Sequence, residues 1–395
     1  MNYILFDNYR RNYLLPLTFT RPIAEIRFGI LTIKEKWEKY LNSETSYLTE
    51  DYLSQKFPIK KEENNILING SICPTTELVE EINNLQSNQT LIDGNNVIAM
   101  RVHKDELNKG CESEHEKSCE VQTKSKYLKL NNVWDIFSLN HLAIQDDFEL
   151  LTKGRKSAKI SNTNTCFGDK IFIEEGAKIE CSILNATEGP IYIGKNTTVM
   201  EGSKIRGPFA LCESSTLKMD AKIYGATTIG PHCKVGGEVG NSVIFGYSNK
   251  AHDGYLGNSV LGEWCNLGAD TNTSNLKNTY ENVRLWSYPD ESFVDTGVQF
   301  CGLIMGDHSK SGINTMFNTG TVVGVNANIF GCGFHRNFVP SFSWGGPVSG
   351  IANFNLNKAL KVAEVVFSRR NKDFGKEDKD IFTYIHNLTI KNKRI

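Results

Sequence analysis

The chain has 395 residues, with 44 Lys plus Arg against 45 Asp plus Glu and a formal net charge of −1. That balance argues against nucleic acid or an acidic membrane surface as the partner. The length favours two domains over one. No apolar run is long enough to cross a bilayer and no charged-then-apolar leader opens the chain, so a cytoplasmic protein with no membrane partner is expected. The ten cysteines form no C-x-x-C pair. They read as free thiols in a reducing compartment, with no disulfide frame and no metal site.

From the N-terminus, Tyr3-Ile4-Leu5-Phe6 reads as a short apolar strand and Ile30–Leu41 as an amphipathic helix. Asn65-Ile66-Leu67-Ile68 and Val97-Ile98-Ala99-Met100 read as further strands, and their alternation with helical segments implies an α/β domain over residues 1–150. His103–Lys126 is charged and poor in apolar residues, an expected exposed loop. Trp134–Leu151 reads as a helical connector.

Residues 151–350 follow another rule. Ile193, Val199, Ile205, Leu211, Leu217, Ile223, Ile229 and Val235 lie six apart without a slip. A period of six is that of a hexapeptide-repeat parallel β-helix, three units to a coil of about eighteen residues. Gly or Asn after the apolar residue, as in Ile193-Gly194-Lys195-Asn196, suits corners that need positive φ. The pattern is interrupted at Asn185–Pro190, between Gly236 and Tyr255, and over the polar stretch Asn272–Thr296; it returns at Met305, Ser311, Phe317, Val323 and Ile329. On the repeat alone the solenoid is either a catalytic scaffold or a spacer. Residues 351–395 hold a helix over Leu356–Phe367, expected to pack on the solenoid, and a polar, lysine-rich tail.

The interruption between Gly236 and Tyr255 is the richest segment. It contains Glu238-Val239-Gly240-Asn241-Ser242 and Ala251-His252-Asp253-Gly254-Tyr255-Leu256-Gly257; Asn266-Leu267-Gly268-Ala269-Asp270-Thr271 follows, then Asn275, Lys277 and Arg284. By residue type His252 is either a surface histidine or a general base, since an imidazole titrates near neutrality. Lys277 and Arg284 are either phosphate holders or solvated charges.

These blocks, with Asp307-His308-Ser309-Lys310-Ser311-Gly312-Ile313-Asn314, resemble the acetyltransferase domain of the GlmU family, the bifunctional N-acetylglucosamine-1-phosphate uridyltransferase/glucosamine-1-phosphate N-acetyltransferases. The likeness is to a divergent bacterial branch and to archaeal-type sugar-1-phosphate nucleotidylyltransferase/acetyltransferases. It implies that the β-helix is left-handed. It implies His252 as the catalytic base, Tyr255, Asn266 and Arg284 as acceptor-binding residues, and Ala269, Asn275, Gly312 and Asn314 as lining the acetyl-CoA site. Two departures bear on the acceptor: Asp270 stands where the family has Gly, and Gly240 where bacterial members have a substrate-binding Lys.

Leu14-Leu15-Pro16-Leu17-Thr18-Phe19-Thr20-Arg21-Pro22 resembles the L-P-L-T-x-T-R-P element of sugar nucleotidyltransferases. The glycine-rich loop that precedes that element is here Phe6-Asp7-Asn8-Tyr9-Arg10-Arg11, without glycine, and Asn69-Gly70-Ser71 stands where a magnesium-binding Asp is usual. Arg10, Arg11 and Arg21 remain candidate nucleotide contacts, with Mg²⁺ as the cofactor such a domain would use.

The expected architecture is thus an α/β N-terminal nucleotidyltransferase-like domain, a left-handed parallel β-helix of hexapeptide repeats and a C-terminal helix. The expected function is acetyl transfer from acetyl-CoA to an amino-sugar 1-phosphate such as glucosamine 1-phosphate, accompanied by or without uridylyl transfer that yields UDP-N-acetylglucosamine. The resemblance also implies a homotrimer. A nucleotidyltransferase alone, and a non-catalytic sugar-nucleotide-binding scaffold, are the alternatives.

Overall fold

The computed structural model describes residues 1–109 and 119–392. The chain forms two compact units. The first comprises Met1–Leu14, Thr20–Ile26 and Leu31–Asn132; the second takes Leu15–Phe19, Arg27–Ile30 and everything from Val133 onward.

The first unit is built on a six-stranded sheet. Its strands are β1 (Asn2–Phe6), β2 (Thr45–Leu48), β3 (Asn64–Asn69), β4 (Gln89–Asp93), β5 (Asn96–His103) and β6 (Cys119–Gln122), in the order β2-β1-β3-β5-β4-β6. β1 runs parallel to both β2 and β3, so the strand order reverses beside it. Tyr3 to Phe6 are all buried, as befits a central strand covered on both faces. Helix α1 (Ile33–Leu41) starts at a capping box, Thr32 accepting from the Glu35 amide while the Glu35 carboxylate accepts from that of Thr32. Helix α2 is Thr76–Asn83. The segment read as an exposed loop is more ordered than expected. Lys104–Lys109 is a 3₁₀ turn and β6 pairs in parallel with β4, while residues 110–118 lie outside the described residues.

In the second unit the six-residue period becomes a prism. One face has nine strands, from Ile171–Ile173 to Phe338–Val339; a second has six, from Thr165–Phe167 to Tyr255–Gly257; a third has five, from Lys178–Ile179 to Asn249–Lys250. Consecutive coils pair in parallel, so that Ile193, Leu211 and Ile229 sit directly over one another, 18 residues apart. The eight residues of the unbroken run are each 2 % exposed or less. At about 1.5–3 kcal/mol per buried aliphatic side chain, this column is the core of the unit.

The interruption between Gly236 and Tyr255 is not an interruption of the fold. The coil contracts, Ile229 stacking under Ile244 only 15 residues later, and the six-period is lost while the ladder continues. The polar stretch after Asn272 does leave the prism. It forms an antiparallel hairpin, Arg284–Ser287 with Ser292–Asp295, before the ladder resumes at Leu303–Met305, and its Trp286 stacks on Phe338.

Helices α3 (Asp135–Ser138) and α4 (Asn140–Thr152) form the expected connector. The buried Asn140 amide donates to the Ala226 carbonyl and Asp147 accepts from the Ile30 amide, which pins α4 and Arg27–Ile30 to the coils. At the other end, α5 (Leu356–Ser368) docks on a ladder of rings. His232, Tyr247 and Trp264 occupy the same left-handed corner on successive coils, with ring centroids 4.7 and 4.2 Å apart, and Phe367 of α5 stacks on Trp264 at 4.2 Å. The lysine-rich tail is not irregular: Lys376–Asn392 is a sixth helix, α6, whose Phe382 meets His308 edge-on.

Phe367→Ala is expected to cost the second unit about 3–5 kcal/mol, read by chemical denaturation, because it empties a stacked site. A loss under about 1 kcal/mol would show that α5 is not anchored there.

Candidate functional site

The left-handed bends of the prism set the site. His252 lies on the corner between the five-stranded and six-stranded faces, with its side chain exposed. Gly254 follows at φ +114°, and a Cβ there would stand 2.3 Å from the Thr271 carbonyl oxygen, so the turn that carries the chain from His252 to Tyr255 requires glycine. The next two coils repeat this corner in register. Asp270 donates its N–H to the Asp253 carbonyl at 3.1 Å, and Asn314 donates to that of Ala269 at 2.9 Å. Gly268 packs against the Gly312 carbonyl, 2.4 Å from where a Cβ would be. His252, Ala269, Gly312 and Asn314 thus form one axial strip. With coils about 4.8 Å apart, it spans roughly 10 Å. Asn266 is built into the same coils, its carbonyl accepting from the Ser311 amide, and its side chain is exposed. Asp270 holds φ +54°, a conformation Gly adopts freely and Asp tolerates.

Around the corner from His252, on the six-stranded face, Tyr255 is half-buried. Its hydroxyl accepts from Asn275 Nδ2 at 3.0 Å, and the same amide reaches Asn258 Oδ1 at 2.8 Å. Glu238, directly under Tyr255 in the ladder, accepts from the Tyr224 hydroxyl at 2.5 Å. The Tyr224 hydroxyl also interacts with that of Tyr255, and both tyrosines have raised pKa values, through burial first. Tyr224 and Glu238 were not singled out by sequence reasoning; only Glu238's place in a motif block hinted at it. Their arrangement bears on Gly240. The Tyr224 ring lies 2.9 Å from where a Gly240 Cβ would sit, so the space from which the family lysine would start is filled.

Lys277 and Arg284 belong to the excursion. Lys277 pairs with Glu281 at 3.8 Å, and Arg284 donates to the Phe293 carbonyl across the hairpin. These contacts tie Lys277 to the segment before the hairpin and Arg284 to the hairpin itself, and neither is a contact to His252 or Tyr255.

In the first unit the ends of β1 and β3, where the strand order reverses, collect polar groups in the manner of α/β ligand sites. Asp7, 7 % exposed, accepts from the Ile23 amide at 2.8 Å and from Thr49 Oγ1 at 2.6 Å, with Arg11 Nε 3.4 Å away. Arg11 also donates to the Tyr52 hydroxyl at 2.6 Å. Arg10 lies against the rings of Tyr9 and Tyr13, and Arg21 is buried two residues before Ile23. Burial, and then the charge of Arg10, lowers the pKa of Lys129 nearby. Burial pushes Asp7 up to about 6 against the pull of Arg11. Mg²⁺ fits this set poorly. It needs free oxygen donors, while both Asp7 oxygens are engaged and Asn69 Oδ1 accepts from Ser71.

Residues 3–156 match the family model described as sugar nucleotidyl transferase. The N-terminal part of the chain is therefore similar to sugar nucleotidyl transferases, and a hexapeptide solenoid follows it in sequence. The relatives are proteins named bifunctional protein GlmU. That of Methanococcus maripaludis is 29% identical over 213 residues, 53% of this chain and 44% of its own length. That of Methanocaldococcus jannaschii is 32% identical over 120 residues, 30% of this chain and 26% of its own. The motif resemblance to GlmU-like proteins is borne out, as a divergent one, and the chain spans less than half the length of these relatives. Among solved structures, the polySia specific acetyltransferase NeuO aligns over 58% of this chain and all of its own at 13% identity, with a TM-score of 0.26, too loose to bear on function.

The raised pKa of Asp7 makes the first unit pH-sensitive. Its carboxyl is protonated up to about pH 6 when folded but ionises from its ordinary value of 3.8 when unfolded. The stabilisation is full below that value and is lost as pH rises through 6. Asp7→Asn should remove this slope in denaturant titrations between pH 4 and 7; an unchanged slope would show that Asp7 ionises normally.

Proposed function

We propose that the second unit is an acetyltransferase that moves an acetyl group from acetyl-CoA to the amine of an amino-sugar 1-phosphate, glucosamine 1-phosphate in the first instance. The observation that carries this reading is the axial strip: an exposed imidazole, His252, in line with Ala269, Gly312 and Asn314, and flanked by the Tyr255–Asn275–Asn258 hydrogen bonds. An extended thioester laid along the strip brings its carbonyl to the imidazole. His252 takes a proton from the sugar amine as nitrogen attacks that carbonyl. The N–C bond forms, the C–S bond breaks, and the imidazolium returns its proton to the departing sulfur. Asparagine and backbone amides at the strip meet the developing oxyanion. Tyr255 and Asn266 orient the sugar. Because Tyr224 fills the space over Gly240, the phosphate is assigned to Lys277 and Arg284, which calls for the excursion of a neighbouring subunit.

A homotrimer is part of the proposal. Ile313, Phe334 and Val348 are 72 %, 60 % and 81 % exposed, more apolar surface on the late coils than one chain covers. The cationic ends of β1 and β3 and the family match support a second reading for the first unit, nucleotidyl transfer onto the acetylated sugar phosphate. The poor fit to Mg²⁺ leaves it as binding of the phosphates by Arg10, Arg11 and Arg21, without a metal-dependent step.

Incubation with acetyl-CoA and glucosamine 1-phosphate should release thiol, and His252→Ala should slow this about 10²–10⁴-fold. No release from the intact protein, or no effect of His252→Ala, would end the proposal. Binding of UTP, weakened by Arg10→Ala and indifferent to His252→Ala, reads the first unit separately, and pyrophosphate release from UTP and N-acetylglucosamine 1-phosphate would overturn the binding-only reading. Light scattering should give three chains per particle, and Phe334→Glu should dissociate them; a monomeric native protein would refute the trimer.

A further inference from the structure

One inward position on the five-stranded face carries a charge. On the five-stranded face, Ile179, Val199, Leu217 and Val235 stack inward, and the next position in register is Lys250. It is 2 % exposed, with Val235 beneath at 0 % and Leu267 on the next coil at 2 %. The positions below it and Leu267 above it are apolar, and Ser311 on the coil after that is polar but uncharged, because a charge there loses its water. Lys250 meets that cost by running its amine out of the column to the corner. There Nζ donates to the His252 carbonyl at 2.7 Å and to the Gly236 carbonyl of the coil below at 3.1 Å. Room for this comes from Gly237, whose Cβ would stand 2.9 Å from Nζ.

We infer that Lys250 is a positioning residue for His252, a buried amine that ties the backbone carrying the imidazole to the coil beneath it and so fixes where the imidazole stands. This rests on the reading of His252 as the base. A methionine of the same length fits the column without desolvating a charge, so the lysine is dispensable for stacking. Backbone bonds hold its far side, Asp270 N–H to the Asp253 carbonyl at 3.1 Å and Glu238 N–H to that of Gly254 at 3.3 Å, but at His252 itself the carbonyl is held by the amine of Lys250. The contracted coil puts a glycine on either side, Gly237 at φ +71° and Gly254 at φ +114°, and glycines leave a backbone loose unless something fastens it. Burial lowers the amine to about 8, while Asp253, Asp270 and Glu238 pull it back up, so at neutral pH it carries the charge that strengthens both bonds.

The test uses Lys250→Met, with Lys250→Leu as a second apolar replacement, in the full chain. Both should fold, with thermal midpoints equal to or above the wild type. The backbone amides that donate to the corner, those of Gly236, Glu238 and Asp270, should exchange about tenfold faster or more, since two charge-assisted bonds beside them are lost. Acetyl transfer should lose about 10–100-fold in kcat with the acceptor KM within about twofold. In a His252→Ala background, either replacement should cost less than about twofold more, because a residue that acts through His252 has nothing left to act on. Unchanged exchange at the corner overturns the inference whether or not the protein turns over. An equal kinetic loss in both backgrounds overturns it as well, since that is the mark of a merely structural role. An intact protein with no acetyl transfer at all counts against the base, and the exchange measurement then decides the clamp by itself.

Discussion

The parallel stacking of one coil on the next governs the second unit. Each inward aliphatic residue is buried only because another lies above and below it, and the ladder hydrogen bonds fix that register. Corners and outward positions are then also stacked, whether or not their chemistry requires it. This is how residues as distant in sequence as His252, Ala269 and Asn314 come into one strip, and how His232, Tyr247 and Trp264 become a ladder of rings. The scaffold sets the axial distances, and the side chains only choose what to display on them.

The same constraint decides what the sequence revealed. A six-period is legible where the coil has its full eighteen residues, from Ile193 to Val235, since core burial there dictates residue type. It fails where the coil shortens. A coil closes in fifteen residues from Ile229 to Ile244 and from Val235 to Lys250, where a lysine turns inward, so neither count nor polarity announces a strand, although Asn249–Lys250 is one. Strand β6, Cys119–Gln122, was illegible for another reason. It is a largely exposed edge strand held by backbone pairing to β4, which leaves no mark on residue type. Helix α6 buries Ile381, Phe382 and Ile385 among polar residues that outnumber them.

The candidate site was legible in part. His252, Tyr255 and Asn275 stood out through motif blocks, and Asn275 donates to the Tyr255 hydroxyl. Tyr224 and Glu238 were not legible, because they join the site through stacking across coils rather than through sequence proximity. A tyrosine on an outward strand position looks like any surface residue until the glycine above it, Gly240, is seen to make room for its ring. Lys277 and Arg284 show the reverse. Their residue types suggested a phosphate site, yet within one chain Lys277 pairs with Glu281 and Arg284 with the hairpin carbonyl of Phe293, partners that residue type did not announce.

Asp7 and Lys250, two of several buried charges, sit where an apolar residue would serve the fold as well. Asp7 is drawn toward the neutral form by burial and is held at the end of β1 by an arginine, a hydroxyl and an amide. Lys250 is drawn toward the neutral form as well and is held by two carbonyls. An apolar residue of similar size at position 250 would satisfy the column at lower cost, because replacing a buried charge and its partners by well-packed hydrocarbon is often neutral or stabilising. Local conflict with the rule of the fold concentrates where structure serves something besides stability. Asp7 falls at the reversal of strand order in the sheet and Lys250 at the imidazole corner of the solenoid, both places for which chemistry is proposed on other grounds, whereas Lys36, Asp147 and Asp307 are charges buried elsewhere.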